Sequence, residues 1–274
     1  MAQKDVSGTG QRPETVWPAL IRQCRGQAIG GSVAADAQCL EPADVAGLSA
    51  PAIDAALSAR YAPLTRPVTG RPRVVAQLGQ SLDGRIATPS GHSRYVTGEA
   101  DRVHLHRLRA LCDAVLVGAG TVVADDPQLT VRAVSGPNPT RVVVISRDHL
   151  TPHRHVFVDG AAPTWAVTPP TATAPPVDRH FPLLDGSPAA VLECLSAAGI
   201  RRLLVEGGAQ TVSAWLAAGL VDSLYLVVAP VIIGSGPTGL NLPTIDHMDQ
   251  AWRPTVEPFA LGADRLYRLD FNGA

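Results

Sequence analysis

From residue 73 onward the chain alternates short, continuously apolar runs with amphipathic stretches, and this alternation narrows the possible folds more than any other feature. The runs read as strands at 74–78, 114–117, 141–146, 202–205 and 223–232, with shorter ones near Val156 and Trp165 and a last one near 266–271. Helices are expected between them at 99–112, 188–198 and 209–218. A strand that is apolar at every position is buried on both faces, and strands separated by helices pair in parallel through crossovers. The expectation is an α/β fold: a mostly parallel central sheet, helices on both faces, and antiparallel edge strands from the last two runs, which a loop with Gly234 and Pro237 joins. Residues 169–176, PPTATAPP, read as an exposed loop.

Composition excludes several classes. A chain of 274 residues with 46% hydrophobic content can fill one large domain, or one domain and an appendage. With a formal net charge of −1, no basic run and few aromatic residues, it lacks the footprint of a nucleic-acid binder. The N-terminus carries no apolar signal core, and the longest apolar run, 224–233, is half a membrane span and contains Pro230. A cytoplasmic protein without membrane contact is expected. Cys24, Cys39, Cys112 and Cys194 show no C-x-x-C spacing, which favours free thiols and no metal site. Residues 1–72, rich in Ala, Pro and Gly, read as an N-terminal appendage of unknown role, with helices at 14–25 and around 50–59 and a linker at 63–72, ahead of a domain at 73–274. Little periodic apolar pattern lies in the appendage, so deleting residues 1 to 65 is expected to leave a folded core.

Three segments carry chemistry. In VGAGTVVADDPQLTVR (117–132) a strand ends in small residues, followed by Thr121, the paired Asp125 and Asp126, and Arg132. Small residues let a ligand approach the backbone, although the dinucleotide pattern G-x-G-x-x-G is incomplete because Val123 takes its last place. Glu206-Gly207-Gly208 closes the strand at 202–205 and opens a helix at Ala209, which sets helix-terminal amides at the carboxyl edge of the sheet, with Gln210 and Thr211 as side-chain donors. Such a helix start binds phosphate. Residues 81–84, SLDG, read first as an ordinary Asp-Gly turn. On the helix at 99–112, opened by Thr97 and Glu99 in a capping-box-like start, His104, His106, Arg107 and Arg109 are mostly expected in solvent. The i, i+2 spacing of the two His residues argues against a metal pair.

Taken together in this order, SLDGRIA, the S-x-Y-V-T-G loop, HRLRA, the run at 117–132 and LLVEGGA resemble the reductase domain of bacterial riboflavin biosynthesis, a dihydrofolate-reductase-like family, over about residues 73–271. The resemblance implies an NADPH-dependent reductase acting on a small molecule, with hydride transfer to C1′ of the ribosylamino group of a 5-aminouracil phosphate. It implies cofactor contacts at Gly79, Tyr95, Thr121, Asp125, Gly207, Gly208, Ala209, Gln210 and Thr211, and substrate contacts at Gln77, Ser93, Arg109, Leu129, Arg132 and Glu206. Ser146 and Arg147, just past a strand, suit the 2′-phosphate of NADPH. Asp125 and Glu206 are both candidates for supplying the imine proton through water, and the sequence does not choose between them. The family commonly has Trp at Tyr95 and usually Lys at Gln77, and the second departure removes a cation from the expected site. A reductase of another pyrimidine, pterin or folate-like compound, and a catalytically silent NADPH binder, are the alternatives. Neither the H-x-E nor the P-C-x-x-C of the zinc deaminase that precedes many relatives occurs, so a stand-alone reductase is expected. The apolar run at 224–233 suggests an edge strand and a homodimer.

Overall fold

The computed structural model describes residues 16–26, 50–146 and 151–271. Its elements in chain order are α1 (Val16–Arg25), α2 (Ala50–Thr65), β1 (Arg73–Ser81), α3 (Glu99–Leu111), β2 (Ala114–Gly118), α4 (Ala119–Asp125), β3 (Thr140–Val144), α5 (His155–Val158), β4 (Thr164–Thr168), β5 (Arg179–Pro182), α6 (Pro188–Ala197), β6 (Arg202–Val205), α7 (Ala209–Ala217), β7 (Ser223–Ala229), β8 (Thr255–Leu261) and β9 (Asp264–Asp270). The strands form one nine-stranded sheet in the order β5-β4-β3-β2-β6-β1-β7-β9-β8. All pairs from β5 to β7 are parallel, and β9 and β8 add antiparallel pairs at one edge.

The continuous apolar runs explain this. Along β1, Val75 packs with α1, α2 and α3 on one face, while Val74, Ala76 and Leu78 pack with α6 and α7 on the other. Both faces are covered, as the run composition requires. After β1 the chain steps outward through β2, β3, β4 and β5, then returns to insert β6 between β2 and β1 before placing β7 on the far side of β1. The crevice of such a sheet opens at the carboxyl ends of the strands where the winding reverses, here β2, β6 and β1.

Several expectations change. Val156 lies in the short α5 rather than a strand, and β5 and β8 join the sheet although neither has a strong apolar pattern. Helix α3 begins at Gly98, whose side-chain-free cap is replaced by Asp264: its carboxylate accepts from the Gly98 amide at 2.8 Å, so the Thr97–Glu99 box does not form. The run at 224–233 is not an edge. β7 is paired on both sides, by β1 and β9, so its backbone is already satisfied and offers no strand-pairing surface.

The helices α1 and α2 are part of the core. Trp17, Leu20, Ile21, Tyr61 and Leu64 are at most 5% exposed and join the α3 face of the sheet. Arg202 reaches out of β6 to the Leu64 carbonyl at 2.8 Å and the Cys24 carbonyl at 2.7 Å. This cover also buries the cations of α3 that were expected in solvent. Tyr61 stacks on His104 and its hydroxyl meets His104 Nδ1 at 2.9 Å, while the Arg107 guanidinium lies 5.9 Å over the Trp17 ring. Burial, with the Arg60 and Arg107 charges, pushes the His104 imidazole far down and keeps it neutral.

Candidate active site

Two clefts of about 430 and 450 Å³ open side by side at the carboxyl ends of β1, β2 and β6, and share Ile86, Gly120, Thr121 and Gly208. Their common wall is tied by the Gly208 amide, which donates to Thr121 Oγ1 at 3.1 Å. Gly207 beside it has φ +111, and a Cβ there would stand 2.6 Å from Thr121 Oγ1, so both the backbone conformation and the close approach of α4 demand glycine.

One cleft is built from helix start and small side chains. Gly118, Ala119, Gly120, Thr121 and Ser146 line one wall and Gly208, Ala209, Gln210, Thr211 and Ala214 the other. Gly208 caps the nine-residue α7 with extended backbone, so the positive end of that helix faces this cleft. Arg147 lies outside the described residues.

The other cleft is built from buried charge. Gln77, Gly79, Ser93, Thr97, Asp101, Arg109, Asp125, Leu129, Glu206 and Gly207 line it. The Arg109 guanidinium, 7% exposed, clasps Glu206, 4% exposed, with Nε to Oε1 at 2.8 Å and Nη2 to Oε2 at 2.7 Å, and Nη1 donates to the Thr130 carbonyl at 3.1 Å. A fork-on-fork pair of this kind fixes both side chains. It also uses one lone pair on each Glu206 oxygen. Asp125 sits at the rim of the same cleft with its carboxyl raised by partial desolvation.

Across the cleft floor Gln77 Nε2 donates to Asp101 Oδ1 at 3.0 Å. Burial raises the Asp101 carboxyl from 3.8 to about 6, and the negative charges of Asp264 and Glu206 add to this against the Thr97 and Gln77 hydrogen bonds. Asp101 escaped the reading of the sequence. An acid in the first turn of a helix is ordinary dipole complementation, and only the placement of α3 across the end of β1 turns this one into the cleft. Leu129, 2% exposed, also lines the cleft, held at φ +54. A branched apolar residue in that region is strained, and such strain is held by surrounding structure and gathers at functional sites.

Two expected contacts are not brought in. Tyr95 is 70% exposed at φ +68, under the Arg94 guanidinium and outside both clefts. Arg132 is exposed; its side chain turns to Thr130 Oγ1 at 2.5 Å and its amide donates to His106 Nδ1 at 2.9 Å, so it stands behind the Arg109 site rather than in it. That His106 accepts there fits an imidazole lowered to about 4 by burial and by the Arg109 and Arg132 charges. The SLDG turn is architectural. Asp83 accepts from Ser81 and from the Ile233 and Gly234 amides, which lowers its carboxyl to about 2 and staples the end of β1 to the loop after β7. Asp126 likewise ends α4 in the left-handed region and holds His155 at 2.8 Å.

The chain spans all of one smaller relative and about half the length of larger ones. It is 37% identical over 216 residues to the 2,5-diamino-6-ribosylamino-4(3H)-pyrimidinone 5′-phosphate reductase of Methanothermobacter thermautotrophicus, which covers 74% of this chain and 100% of that protein. It is 35% identical over 189 residues to the riboflavin biosynthesis protein RibD of Mycobacterium tuberculosis, covering 68% of this chain and 50% of that one. Among solved structures, a diaminohydroxyphosphoribosylaminopyrimidine deaminase/5-amino-6-(5-phosphoribosylamino)uracil reductase from Thermotoga maritima superposes with a TM-score of 0.64 at 29% identity, over 73% of this chain and 56% of that chain. The model of the RibD C-terminal domain matches residues 72–254. With the mostly parallel sheet expected of it, the chain belongs to the RibD C-terminal domain family, whose named members are reductases of riboflavin biosynthesis.

Proposed function

We propose that this protein is an NADPH-dependent reductase that reduces the ribosylamino group of a 5-aminopyrimidine ribosyl phosphate, the reaction for which its relatives are named. The observation that carries this reading is the junction of the two clefts at Thr121 and Gly208: a dinucleotide lying along the start of α7 ends beside a polar pocket large enough for a pyrimidine.

The small-residue cleft fits a dinucleotide. Amides of Ala209 and Gln210 and the α7 dipole suit a pyrophosphate, with Thr211 and Thr121 as hydroxyl donors. Ser146 lies where a ribose 2′-phosphate would favour NADPH over NADH. When bound, NADPH supplies the hydride. On the substrate, C1′ of the ring-opened imine gains that hydride, the C=N π pair moves to nitrogen, and nitrogen takes one proton. Arg109 and Glu206, locked on each other, present fixed polar atoms to the pyrimidine, Ser93 and Gly79 close against it, and Asp125 relays the proton through water from the rim. The same reading makes the protein a cytoplasmic enzyme and a homodimer, with the exposed Leu82, Val231 and Ile232 as the apolar surface available for self-association.

The test is oxidation of reduced nicotinamide by the purified protein with the ribosylamino substrates, with the ribitylamino product identified by mass. Turnover with NADPH and at least tenfold weaker turnover with NADH are expected. No turnover with either cofactor rejects the reading, and sedimentation velocity decides the dimer.

A further inference from the structure

Leu129 walls the pyrimidine cleft from a backbone conformation, φ +54, that a branched residue avoids, so neighbouring groups must hold it there. The three residues that follow are each tied by a side chain. The Thr130 carbonyl accepts from Arg109 Nη1 at 3.1 Å, the Val131 amide donates to Asn138 Oδ1 at 2.7 Å, and the Arg132 amide donates to His106 Nδ1 at 2.9 Å. Arg109 and His106 stand one turn apart on α3, and Asp101, Leu105 and Arg109 of the same helix line the cleft. The Leu129 wall is therefore registered against the helix that carries the buried charges of the site. His106 itself lines neither cleft. Its Nδ1 accepts only while the imidazole is neutral; burial, with the Arg109 and Arg132 charges and against a weaker pull from the Thr130 backbone, lowers the group to about 4 and keeps it so.

We infer that His106 is a positioning residue: by accepting the Arg132 amide it keeps Leu129 in its left-handed conformation, as the surface against which the pyrimidine and its ribosylamino arm are aligned for hydride transfer. The inference rests on the reductase reading above and adds a residue that touches neither ligand. Arg109 cannot do this alone, because it reaches only the Thr130 carbonyl while its Nε and Nη2 are spent on Glu206. Asn138 anchors the segment to the loop before β4 instead, through the Ala161 carbonyl at 3.0 Å. His106 is thus the group that ties the end of the segment to α3. Released at Arg132, the chain relaxes Leu129 towards negative φ and turns its side chain out of the wall. A displacement of about 1 Å at a reacting centre costs on the order of a hundredfold in rate.

The experiment measures kcat and KM with NADPH and whichever of 2,5-diamino-6-ribosylamino-4(3H)-pyrimidinone 5′-phosphate and 5-amino-6-(5-phosphoribosylamino)uracil the wild type reduces faster, together with the NADPH dissociation constant by calorimetry. His106→Leu is expected to lower kcat/KM by about tenfold to a hundredfold, mostly through kcat, and to leave NADPH affinity within about twofold, since Leu129 lies outside the nucleotide cleft. His106→Asn, whose Oδ1 stands where Nδ1 stood, should stay within about threefold of the wild type. His106→Gln keeps a polar side chain but moves the acceptor out to the place of Nε2, and should lose as His106→Leu does, so a leucine variant that fails to fold does not decide the outcome. Leu129→Gly adopts φ +54 without strain. In that background His106→Leu should cost less than about threefold further, because the two substitutions remove one function. The inference is overturned if His106→Asn is as impaired as His106→Gln, if NADPH affinity falls in step with kcat/KM, or if the losses multiply in the Leu129→Gly background; in each case the reductase reading stands. Absence of turnover of either compound by the wild type, with NADPH bound, removes the reductase reading and this inference with it.

Discussion

The nucleotide half of the cleft is made of backbone and small residues, Gly118, Gly120, Gly207 and Gly208 around the start of α7, whereas the pyrimidine half is made of buried charge, with Asp101, Arg109 and Glu206 each at most 7% exposed. The first is assembled from two strand-to-helix turns and needs little from the rest of the chain. The second brings together the end of β1, the inner face of α3 and the residue after β6, and depends on whatever holds α3 against the sheet. Two regions of one cleft thus differ in how far their construction reaches into the fold.

That difference is broken most severely by removing α1 and α2, which cover α3. Trp17, Leu20, Ile21, Tyr61 and Leu64 are buried there, and at about 1.5–3 kcal/mol for each large apolar side chain the loss rivals the ~5–15 kcal/mol by which a domain is stable. Deletion of residues 1–65 is expected to abolish cooperative thermal unfolding, measured by calorimetry. A deletion variant that melts cooperatively near the wild-type midpoint would show that α3 holds its place alone, as the composition of this segment first suggests.

Next in size is the buried pair. Arg109→Met leaves Glu206 charged and unpartnered, a loss of about 3–5 kcal/mol, and the double variant Arg109→Met with Glu206→Leu should recover most of it because both charges then leave together. Denaturant midpoints read this directly, and a single variant as stable as the double would mean that water reaches Glu206. In the nucleotide half the opposite pattern is expected. Gly208 is the N-cap of α7 at φ −71, with nothing nearer than 4.0 Å to an added Cβ, so Gly208→Asp keeps or slightly raises stability. It should nevertheless weaken NADPH by at least about a hundredfold, near 3 kcal/mol, by placing a carboxylate against the pyrophosphate. Calorimetric titration checks it, and unchanged affinity would move the dinucleotide elsewhere.

The same contrast governs what was legible in the sequence. Glu206-Gly207-Gly208 and the run at 117–132 announce the nucleotide half because a glycine turn before a helix is a local signal. The strand runs announce the sheet for the same reason. What the pattern does not carry is pairing at a distance: Arg109 with Glu206 spans 97 positions, Gln77 with Asp101 spans 24, and Tyr61 with His104 spans 43. Each partner alone reads as an ordinary surface or core residue, so the burial of α3 and the role of its acid emerge only when the elements meet. Strand β8 was missed because its exposed positions at Thr255, Val256 and Pro258 show no apolar run; it is held by β9 rather than by its own sequence.

The smallest expected effect isolates the cost of the pyrimidine half. Asp101 titrates near 6 in the folded protein against 3.8 as its ordinary value, the reverse of a carboxylate stabilised by a salt bridge. Between those two pH values the native state binds more protons at this group than the unfolded chain does, so stability falls as pH rises through the window and the full cost is present above 6. Two units correspond to about 3 kcal/mol at ~1.4 kcal/mol per unit. Asn cannot accept from both Gln77 and Thr97, which returns about 1 kcal/mol. Asp101→Asn is therefore expected to be more stable than the wild type by about 2 kcal/mol at pH 8, with the advantage gone below pH 4, as read from urea midpoints across that range. The gain at pH 8 would come with a loss in turnover, the trade expected where a site keeps an unfavourable charge for use. A variant less stable than the wild type at both pH values would mean that Asp101 is held by its hydrogen bonds more than it is penalised by burial, and the two halves of the cleft would then differ in reach but not in cost.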